Sequence, residues 1–337
     1  MKHISLSYST LTQLPPCALA FYPSDSRFVI VGTYKLEQDG SRHGTLDIYD
    51  CANGELKYCS SIESTDSSIL DLKFSPHDSS LLASAHSTGR ICLWRVSPSR
   101  EDGIDVELIS TYDVADSSDV LVLSICFSPI DPVVLSVTLS SGEWRLCSIS
   151  TESAVAILQV ETSFTAHSLE AWTSAFSSNG SLLFSGGDDS VLSAYDLRAG
   201  VEVWQDRRTH SAGVTSILPF HDNESQIWTG SYDEKLRVWD LRGSYSKGNV
   251  VNELSLGGGV WRLIDHPNVA EKLVLSCCMH GGARVINTSD ELSDSSVVGN
   301  ISEGHESMVY GGDWSSDGGY IATCSFYDKK LNLWSYR

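Results

Sequence analysis

Three sets of side chains in this sequence have the composition of a Ser-His-Asp catalytic triad. In each set an Asp follows a histidine by 22 or 23 residues and follows a hydroxyl or thiol residue by four. Such a set could attack an ester or amide carbonyl. The sets are His167, Ser185 and Asp189; His210, Thr229 and Asp233; and His305, Cys324 and Asp328.

The repetition of these sets indicates a structural role. Buried polar groups need hydrogen-bond partners, and a repeated unit needs the same cross-strand ties in each copy. We therefore interpret each set as a network in which Asp orients His, His contacts the hydroxyl or thiol, and an aromatic residue ends the chain of bonds. The aromatic residues, six positions after each Asp, are Tyr195, Trp239 and Trp334.

These aromatic residues belong to a longer series of seven strand positions. Neighbours in the series are 44 to 53 residues apart, close to the period of about 40 to 45 that is typical of WD repeats. The stretches around them alternate between apolar and polar residues, as half-buried strands do. The sequence therefore predicts an all-β fold, a seven-bladed WD-repeat β-propeller that forms a single domain over residues 1–337. The positions are Tyr49, Trp94, Cys147, Tyr195, Trp239, Ile286 and Trp334.

The first residues of the chain predict how the ring of blades closes. Residues 3–8 alternate as a strand does, and a strand there would complete the last blade and remove two exposed sheet edges. No stretch has the 3.6-residue apolar period of an amphipathic helix. We therefore expect little helix.

Charge and cysteine content exclude some classes of protein. The chain has 23 basic and 43 acidic residues, a net charge of −20, which disfavours binding to nucleic acid or to an anionic membrane. Nine cysteines without a C-x-x-C pair favour reduced thiols. Neither a signal-type apolar core at MKHISLSYST nor a membrane-spanning apolar run occurs. We expect a cytoplasmic protein.

Common enzyme motifs do not occur in the sequence. There is no G-x-S-x-G, no H-E-x-x-H, no phosphate-binding loop and no G-x-G-x-x-G after a strand. Histidines and cysteines are separated by repeat-scale distances, which do not suit a metal site. We predict neither a metal nor a cofactor, and by fold alone a noncatalytic scaffold would be the expectation.

Several stretches in the second half of the chain are unusual for a generic WD repeat. They are AHSLEAWTSAF (166–176), SGGDD (185–189), TGSYDE (229–234), GGGVWRL (257–263), CCMHGG (277–282), HESMVYGGDW (305–314) and ATCSFYD (322–328). Together they resemble the WD-repeat diphthine methyl ester hydrolases. GTY (32–34) and SSILDLKFS (67–75) extend the resemblance toward the N-terminus.

The resemblance implies a reaction and a partner. The family hydrolyses the methyl ester of methylated diphthine on translation elongation factor 2, which yields diphthine and methanol in diphthamide biosynthesis. The expected partner is that factor carrying methylated diphthine, and other proteins of the pathway are further candidates. A noncatalytic scaffold for protein–protein interaction is the alternative. We expect a monomer, because a closed propeller leaves only short, protected edges.

The substrate's trimethylammonium group suggests an aromatic binding site, because aromatic faces attract cations. We predict that five aromatic residues lie near one rim, with Glu170, Asp188 and Asp313 among them. Two of the five, the tryptophans, could instead be packing residues within their blades. The predicted substrate-binding residues are Trp172, Tyr232, Trp261, Tyr310 and Tyr327.

Ester hydrolysis also needs an activated water or a nucleophile, and a group that stabilises the oxyanion. His280 with Asp188 or Glu170 could activate water. Arg262 or the glycine amides of residues 257–259 could face the developing negative charge. Both choices stay open at this point.

Cys278 offers a covalent alternative to the activated water. A thiolate near a histidine can attack an ester and form an acyl intermediate. The sequence favours the water route only slightly, so Cys278 remains a candidate nucleophile beside the His280 base.

Overall fold

The computed structural model describes residues 3–64, 67–150, 157–220, 223–242, 248–288 and 294–337. Within these ranges the chain forms 29 β-strands and two short 3-10 helices, at Ala52–Gly54 and Val269–Glu271, and no α-helix. This confirms the expected scarcity of helix. Across the same described part of the chain, no helix has the length and apolarity needed to cross a membrane.

The strands form seven sheets, in which most pairs join strands that are neighbours in sequence. The fold is the predicted seven-bladed β-propeller, with one sheet to a blade. Blade 1 contains β2 (Pro16–Phe21), β3 (Phe28–Thr33), β4 (Lys35–Leu36), β5 (Arg42–Asp50) and β6 (Lys57–Ser64). Blade 2 contains β7 (Ile69–Phe74), β8 (Leu81–His86), β9 (Arg90–Pro98) and β10 (Ile104–Asp113). Blade 3 contains β11 (Val122–Phe127), β12 (Val134–Leu139), β13 (Glu143–Ser150) and β14 (Ile157–Thr165).

The remaining four blades follow the same plan. Blade 4 contains β15 (Ala171–Phe176), β16 (Leu182–Gly187), β17 (Leu192–Asp196) and β18 (Val201–Asp206). Blade 5 contains β19 (Val214–Phe220), β20 (Asn223–Ser231), β21 (Lys235–Asp240) and β22 (Asn249–Ser255). Blade 6 contains β23 (Arg262–Asp265), β24 (Leu273–Cys277), β25 (Ala283–Asn287) and β26 (Ser296–Ile301). Blade 7 contains β27 (Val309–Trp314), β28 (Tyr320–Ser325), β29 (Lys330–Tyr336) and β1 (Ile4–Leu11).

The seven anchor positions predicted from the repeat lie in seven equivalent strands. Each is in the strand between the second and the outermost strand of its blade, from Tyr49 in β5 to Trp334 in β29. The strands before them are buried on both faces, as in FVIVGT of β3 and LLASAH of β8. Such continuous apolar runs are typical of strands that are covered on both sides.

The first strand of the chain completes the last blade, as the sequence predicted. β1 pairs antiparallel with β29, from Ile4 opposite Tyr336 to Leu11 opposite Lys330. A register shift between Leu6 and Tyr8 marks a β-bulge in this pairing. The outer edge strand of blade 7 therefore comes from the opposite end of the sequence.

The chain divides into two compact units by its internal contacts. Unit 1 comprises Met1–Ile69, Trp228–Asp240 and Asn249–Arg337, and unit 2 comprises Leu70–Ile227 and Leu241–Gly248. In unit 1 the apolar residues of blades 1 and 7 share one core cluster and those of blades 6 and 7 share another. In unit 2 blades 2 and 3 pack in the same way. The single domain over residues 1–337 stays a prediction.

Carboxylates tie the first strands of neighbouring blades within each unit. In unit 2 Asp71 accepts hydrogen bonds from the amides of Leu72 and Ile125, at 2.9 and 3.0 Å. In unit 1 Asp313 accepts from the Phe21 amide of β2 at 2.8 Å. Asp313 was expected at the rim with the aromatic residues, and its carboxylate makes this inter-blade hydrogen bond.

Replacing Asp71 by Asn should destabilise unit 2. The Asn amide group has one acceptor oxygen, so one buried backbone N–H loses its partner, which costs about 1–3 kcal/mol. We expect the free energy of unfolding in urea to fall by that amount. Asp113→Asn is the control, because Asp113 is 73% exposed beside Arg90 and its loss should cost less than about 0.5 kcal/mol. Equal effects of the two changes would contradict the role of Asp71.

Candidate functional site

The first triad-like set forms the predicted contacts between Asp, His and Ser in blade 4, but the network continues to Ser193 where the aromatic Tyr195 was predicted. Nδ1 of the buried His167 lies 3.0 Å from Oδ1 of Asp189, and Nε2 lies 3.0 Å from Oγ of Ser185. Ser185 Oγ also lies 3.2 Å from Oγ of Ser193. Burial acts to raise the pKa of Asp189, but hydrogen bonds from His167 and the Ser168 amide outweigh it and hold this pKa below its usual value.

Blade 7 contains the network in a shifted register. Nε2 of His305 lies 2.7 Å from Oγ1 of Thr323, and Nδ1 lies 2.6 Å from Oγ of Ser325, which donates to Asp328. The prediction that Cys324 occupies the hydroxyl position is therefore wrong. Successive side chains of a strand point to opposite faces, so the one-residue difference turns Cys324 away from His305.

In blade 5 the indole N–H of Trp239 donates to Thr229 Oγ1 at 2.8 Å. Asp233 accepts two hydrogen bonds from the Arg237 guanidinium, at 3.0 and 2.8 Å, with both side chains buried. Across the three sets the hydroxyl residue is buried, with 1% exposure at Ser185 and none at Thr229 and none at Thr323. A substrate carbonyl cannot reach them, which supports the structural interpretation.

Four of the five predicted substrate-binding residues lie in one group of rings in unit 1. We call this group the aromatic run. Successive ring centroids along it are 5.8, 5.2, 5.7 and 5.0 Å apart. These spacings are typical of tilted and edge-to-face aromatic pairs. In order the run consists of Tyr232, Trp261, Tyr310, Phe326 and Tyr327.

The aromatic run presents uncharged rings to solvent. Tyr327 is 69% exposed, and the other four members are partly buried. Burial, with a smaller contribution from Tyr327, raises the pKa of Tyr310 to about 12. The Tyr310 phenol therefore stays neutral near pH 7, and its Oη donates to Met308 Sδ at 3.1 Å. Such a surface can hold a cation against ring faces.

Sequence reasoning missed two rings of this region. Phe326 links Tyr310 to Tyr327, and Tyr34 lies 6.1 Å from Phe326 between centroids. Tyr34 Oη accepts a hydrogen bond from Arg42 Nε at 3.1 Å. Both rings lie in stretches that carry the family resemblance, Tyr34 in GTY and Phe326 in ATCSFYD. Their place in these stretches was the signal from which the sequence could have identified them.

Trp172, Asp188 and Glu170 form a group in blade 4, within unit 2. Trp172 Nε1 donates to Asp188 Oδ1 at 3.0 Å. The Asp188 amide donates to the Glu170 carbonyl at 2.9 Å. The structure therefore brings these three predicted residues together, with Asp188 engaged by the indole.

His280 lies at the tip of the turn between β24 and β25, and the carboxylate beside it is Glu234. His280 Nε2 is 3.5 Å from Glu234 Oε1, and the side chains are 60% and 45% exposed. The sequence suggested Asp188 or Glu170 as the partner and missed Glu234. An exposed imidazole with an adjacent carboxylate can accept a proton from water.

The glycines of residues 257–259 allow the backbone to pass close to the His280 turn. A Cβ on Gly258 would lie 2.0 Å from the Cys278 carbonyl oxygen, and one on Gly259 would lie 2.7 Å from Met279 Sδ and 3.3 Å from Tyr232 Cδ1. Only glycine fits such an approach. The segment therefore holds the turns of blades 5 and 6 together.

Cys278 lies behind this turn and is wholly buried. Its Sγ is 3.2 Å from Ser276 Oγ. Burial raises the pKa of the Cys278 thiol to about 11. The nucleophilic form is the thiolate, so this placement does not favour the covalent route.

Arg262, the predicted oxyanion group, begins β23 beside Trp261. It pairs in register with Cys277 and is partly buried. Burial raises the pKa of the nearby Cys324 thiol, and the Arg262 charge opposes that shift. Over the described ranges, no group of three or more His, Cys, Asp or Glu side chains could hold a metal ion.

Comparisons with known proteins find one repeat family and relatives that share one name. The WD domain, G-beta repeat family matches residues 56–95, 158–196, 204–240 and 296–335. A diphthine methyltransferase of Saccharomyces cerevisiae is 37% identical over 96% of this chain and 96% of its own length. A diphthine methyltransferase of Schizosaccharomyces pombe is 39% identical over 91% of this chain and 90% of its own length.

A solved structure has the same fold. A chain of the mitotic checkpoint complex crystal structure aligns with a TM-score of 0.73 and 19% identity, covering 99% of this chain and 90% of that one. At this identity the likeness extends to the fold alone.

Placing a methyl group at Gly258 should disturb the His280 turn. The obstructing atom is a backbone carbonyl oxygen 2.0 Å away, so the backbone must shift, at a typical cost of about 1–3 kcal/mol. We expect Gly258→Ala to lower the melting temperature measured by circular dichroism. Gly103→Ala is the control, because the nearest atom to its new methyl group would be Ser99 Cβ, 3.8 Å away. Equal melting temperatures for the two variants would contradict the close approach.

Proposed function

Because this chain belongs to the diphthine methyltransferase family, we propose that it is an enzyme of diphthamide biosynthesis that hydrolyses an ester. Its substrate is the methyl ester of methylated diphthine on translation elongation factor 2, and its products are diphthine and methanol. The observation that carries the proposal is the aromatic run. Its first ring, Tyr232, lies close to Gly259, and so does the side chain of Met279, the residue before the exposed His280.

The aromatic run suits the cationic end of this substrate. A trimethylammonium group cannot donate a strong hydrogen bond, and ring faces attract it by about 0.5–2 kcal/mol for each contact. Tyr310 stays a neutral phenol, so its face keeps the electron density that attracts a cation. Trp261 lies next to both Tyr232 and Tyr310 in the aromatic run, which supports a binding role beside its packing role.

His280 supplies the base in the proposed reaction. It takes a proton from water as the water oxygen attacks the ester carbonyl carbon. The tetrahedral intermediate then breaks its bond to the methoxy oxygen, and the imidazolium returns the proton to form methanol. The new carboxylic acid releases its own proton to solvent. Arg262 is the proposed stabiliser of the oxyanion. The burial of Cys278 supports the water route over an acyl intermediate.

Methyl transfer is the second candidate, because the relatives are named methyltransferases. In that reaction a donor would add a methyl group to the substrate, whereas hydrolysis removes one with water alone. The two reactions change the substrate mass in opposite directions. A noncatalytic scaffold is the remaining alternative and would leave the mass unchanged.

The proposed partner is the elongation factor that carries the modified histidine. The net charge of −20 suits a basic surface on that partner and would steer their association. Other proteins of the diphthamide pathway are further proposed partners. We propose that the protein acts as a cytoplasmic monomer.

The reaction is tested with purified protein and elongation factor 2 carrying methylated diphthine, in water enriched in oxygen-18. We expect mass spectrometry to find loss of the methyl group, one heavy oxygen in the new carboxylate and unlabelled methanol. These labels report attack at the acyl carbon. A gain of a methyl group with an added donor would establish methyl transfer, and an unchanged mass with folded protein would favour the scaffold.

The cation site is tested by a matched pair of variants at Tyr310. Tyr310→Phe keeps the ring face and should keep KM, whereas Tyr310→Ala removes it and should raise KM by about 5- to 30-fold, the equivalent of about 1–2 kcal/mol. Steady-state methanol release measures both. Tyr58→Ala, at an exposed tyrosine of blade 1, controls for loss of an aromatic residue elsewhere. An unchanged KM in Tyr310→Ala would exclude this ring from substrate binding.

A further inference from the structure

We propose that Glu234 is a positioning residue for His280, holding the imidazole in the tautomer and orientation that accept a proton from water. This inference rests on the proposed function, in which His280 is the base. The pair joins two blades, because Glu234 lies in the turn between β20 and β21 and His280 in the turn between β24 and β25.

The backbone fixes both ends of the pair. The Leu256 amide donates to the Glu234 carbonyl at 2.9 Å, and the Trp261 amide donates to the Cys277 carbonyl at 2.8 Å. One short segment therefore bonds to the Glu234 turn at its start and to the base of the His280 turn at its end. Between these bonds, Gly258 is in close contact with the His280 turn. The separation of the two turns that carry the side chains is thus set by hydrogen-bonded backbone.

The turn itself does not require a glutamate. Glu234 has a left-handed backbone, with φ of 67°, and so do the residues at the same place after the aspartate in blades 4 and 7. Those residues are Ser190 and Lys329, with φ of 64° and 55°. A serine and a lysine thus adopt the same conformation, so the backbone leaves the side chain free to vary. A carboxylate facing His280 is a feature of the blade 5 turn.

The chemistry of the pair follows from which nitrogen faces the carboxylate. A carboxylate only accepts hydrogen bonds, so Glu234 beside Nε2 favours the tautomer with the proton on Nε2. The lone pair of Nδ1 is then available for the proton of the attacking water. Once the ring is protonated, the adjacent negative charge stabilises the imidazolium. Tyr232 lies two residues before Glu234 and begins the aromatic run, so the base is held next to the proposed cation site.

Kinetics of Glu234→Gln, His280→Ala and the double variant test the inference. Glu234→Gln should lower kcat by about tenfold or more with KM unchanged. The same change should have no further effect in the His280→Ala background, because the two residues act as one unit. Glu63→Gln removes the same charge from an exposed position on β6 and should leave kcat unchanged. A raised KM with unchanged kcat, or equal losses in both backgrounds, would overturn the inference.

A spectroscopic measurement separates this inference from the proposed function. The ring nitrogen shifts of 15N-labelled histidine report which nitrogen carries the proton, and the His280 signal is identified by its loss in His280→Ala. Glu234→Gln should change the tautomer of that signal alone, and an unchanged tautomer would overturn the inference. If the wild-type protein releases no methanol, the proposed function fails, while the tautomer measurement still decides whether Glu234 positions His280.

Discussion

The close approach of two backbone segments underlies the candidate site. Where Gly258 meets the Cys278 carbonyl there is no room for a single side-chain carbon, so the two strands of peptide are in direct contact. Amides on either side of that contact bond to the turns of blades 5 and 6. The backbone that carries His280 and Trp261 is therefore fixed by hydrogen bonds and by this close contact. A flexible loop would not hold an imidazole and a ring face at a fixed separation.

The repeat made the fold predictable from the sequence. A blade needs one apolar strand position to recur at the same place in every copy, and this recurrence is visible without knowing any contact. An incorrect prediction arose where a shift of one residue along a strand decides which way a side chain points. In blade 7 Thr323, and not its neighbour Cys324, bonds to His305, because one step along a strand reverses the side chain. The sequence also has no pattern that reveals the hydrogen bond between the Asp313 carboxylate and the Phe21 amide.

The candidate site was predictable in its residue types and less so in its pairings. The resemblance directed attention to Tyr232, Trp261, Tyr310 and Tyr327, and the structure joins these four through Phe326. The carboxylate beside His280 could not be found in this way. Glu234 and His280 belong to turns of different blades, and their meeting depends on the three-dimensional path of the segment between them. For Trp172 the sequence could indicate the neighbours, because Asp188 and Glu170 lie in the same blade as Trp172.

The pairing of β1 with β29 has a consequence for the order in which the molecule is made. Ile4 and its partner Tyr336 are far apart in sequence, so Ile4 is synthesised long before Tyr336. The outermost strand of blade 7 therefore lacks its partner until β29 has been synthesised. Joining segments so distant in sequence is slow, although the entropic cost of closing a loop rises only gradually with its length. A chain in which β1 has not yet paired with β29 leaves a sheet edge of blade 7 open to strands of other proteins.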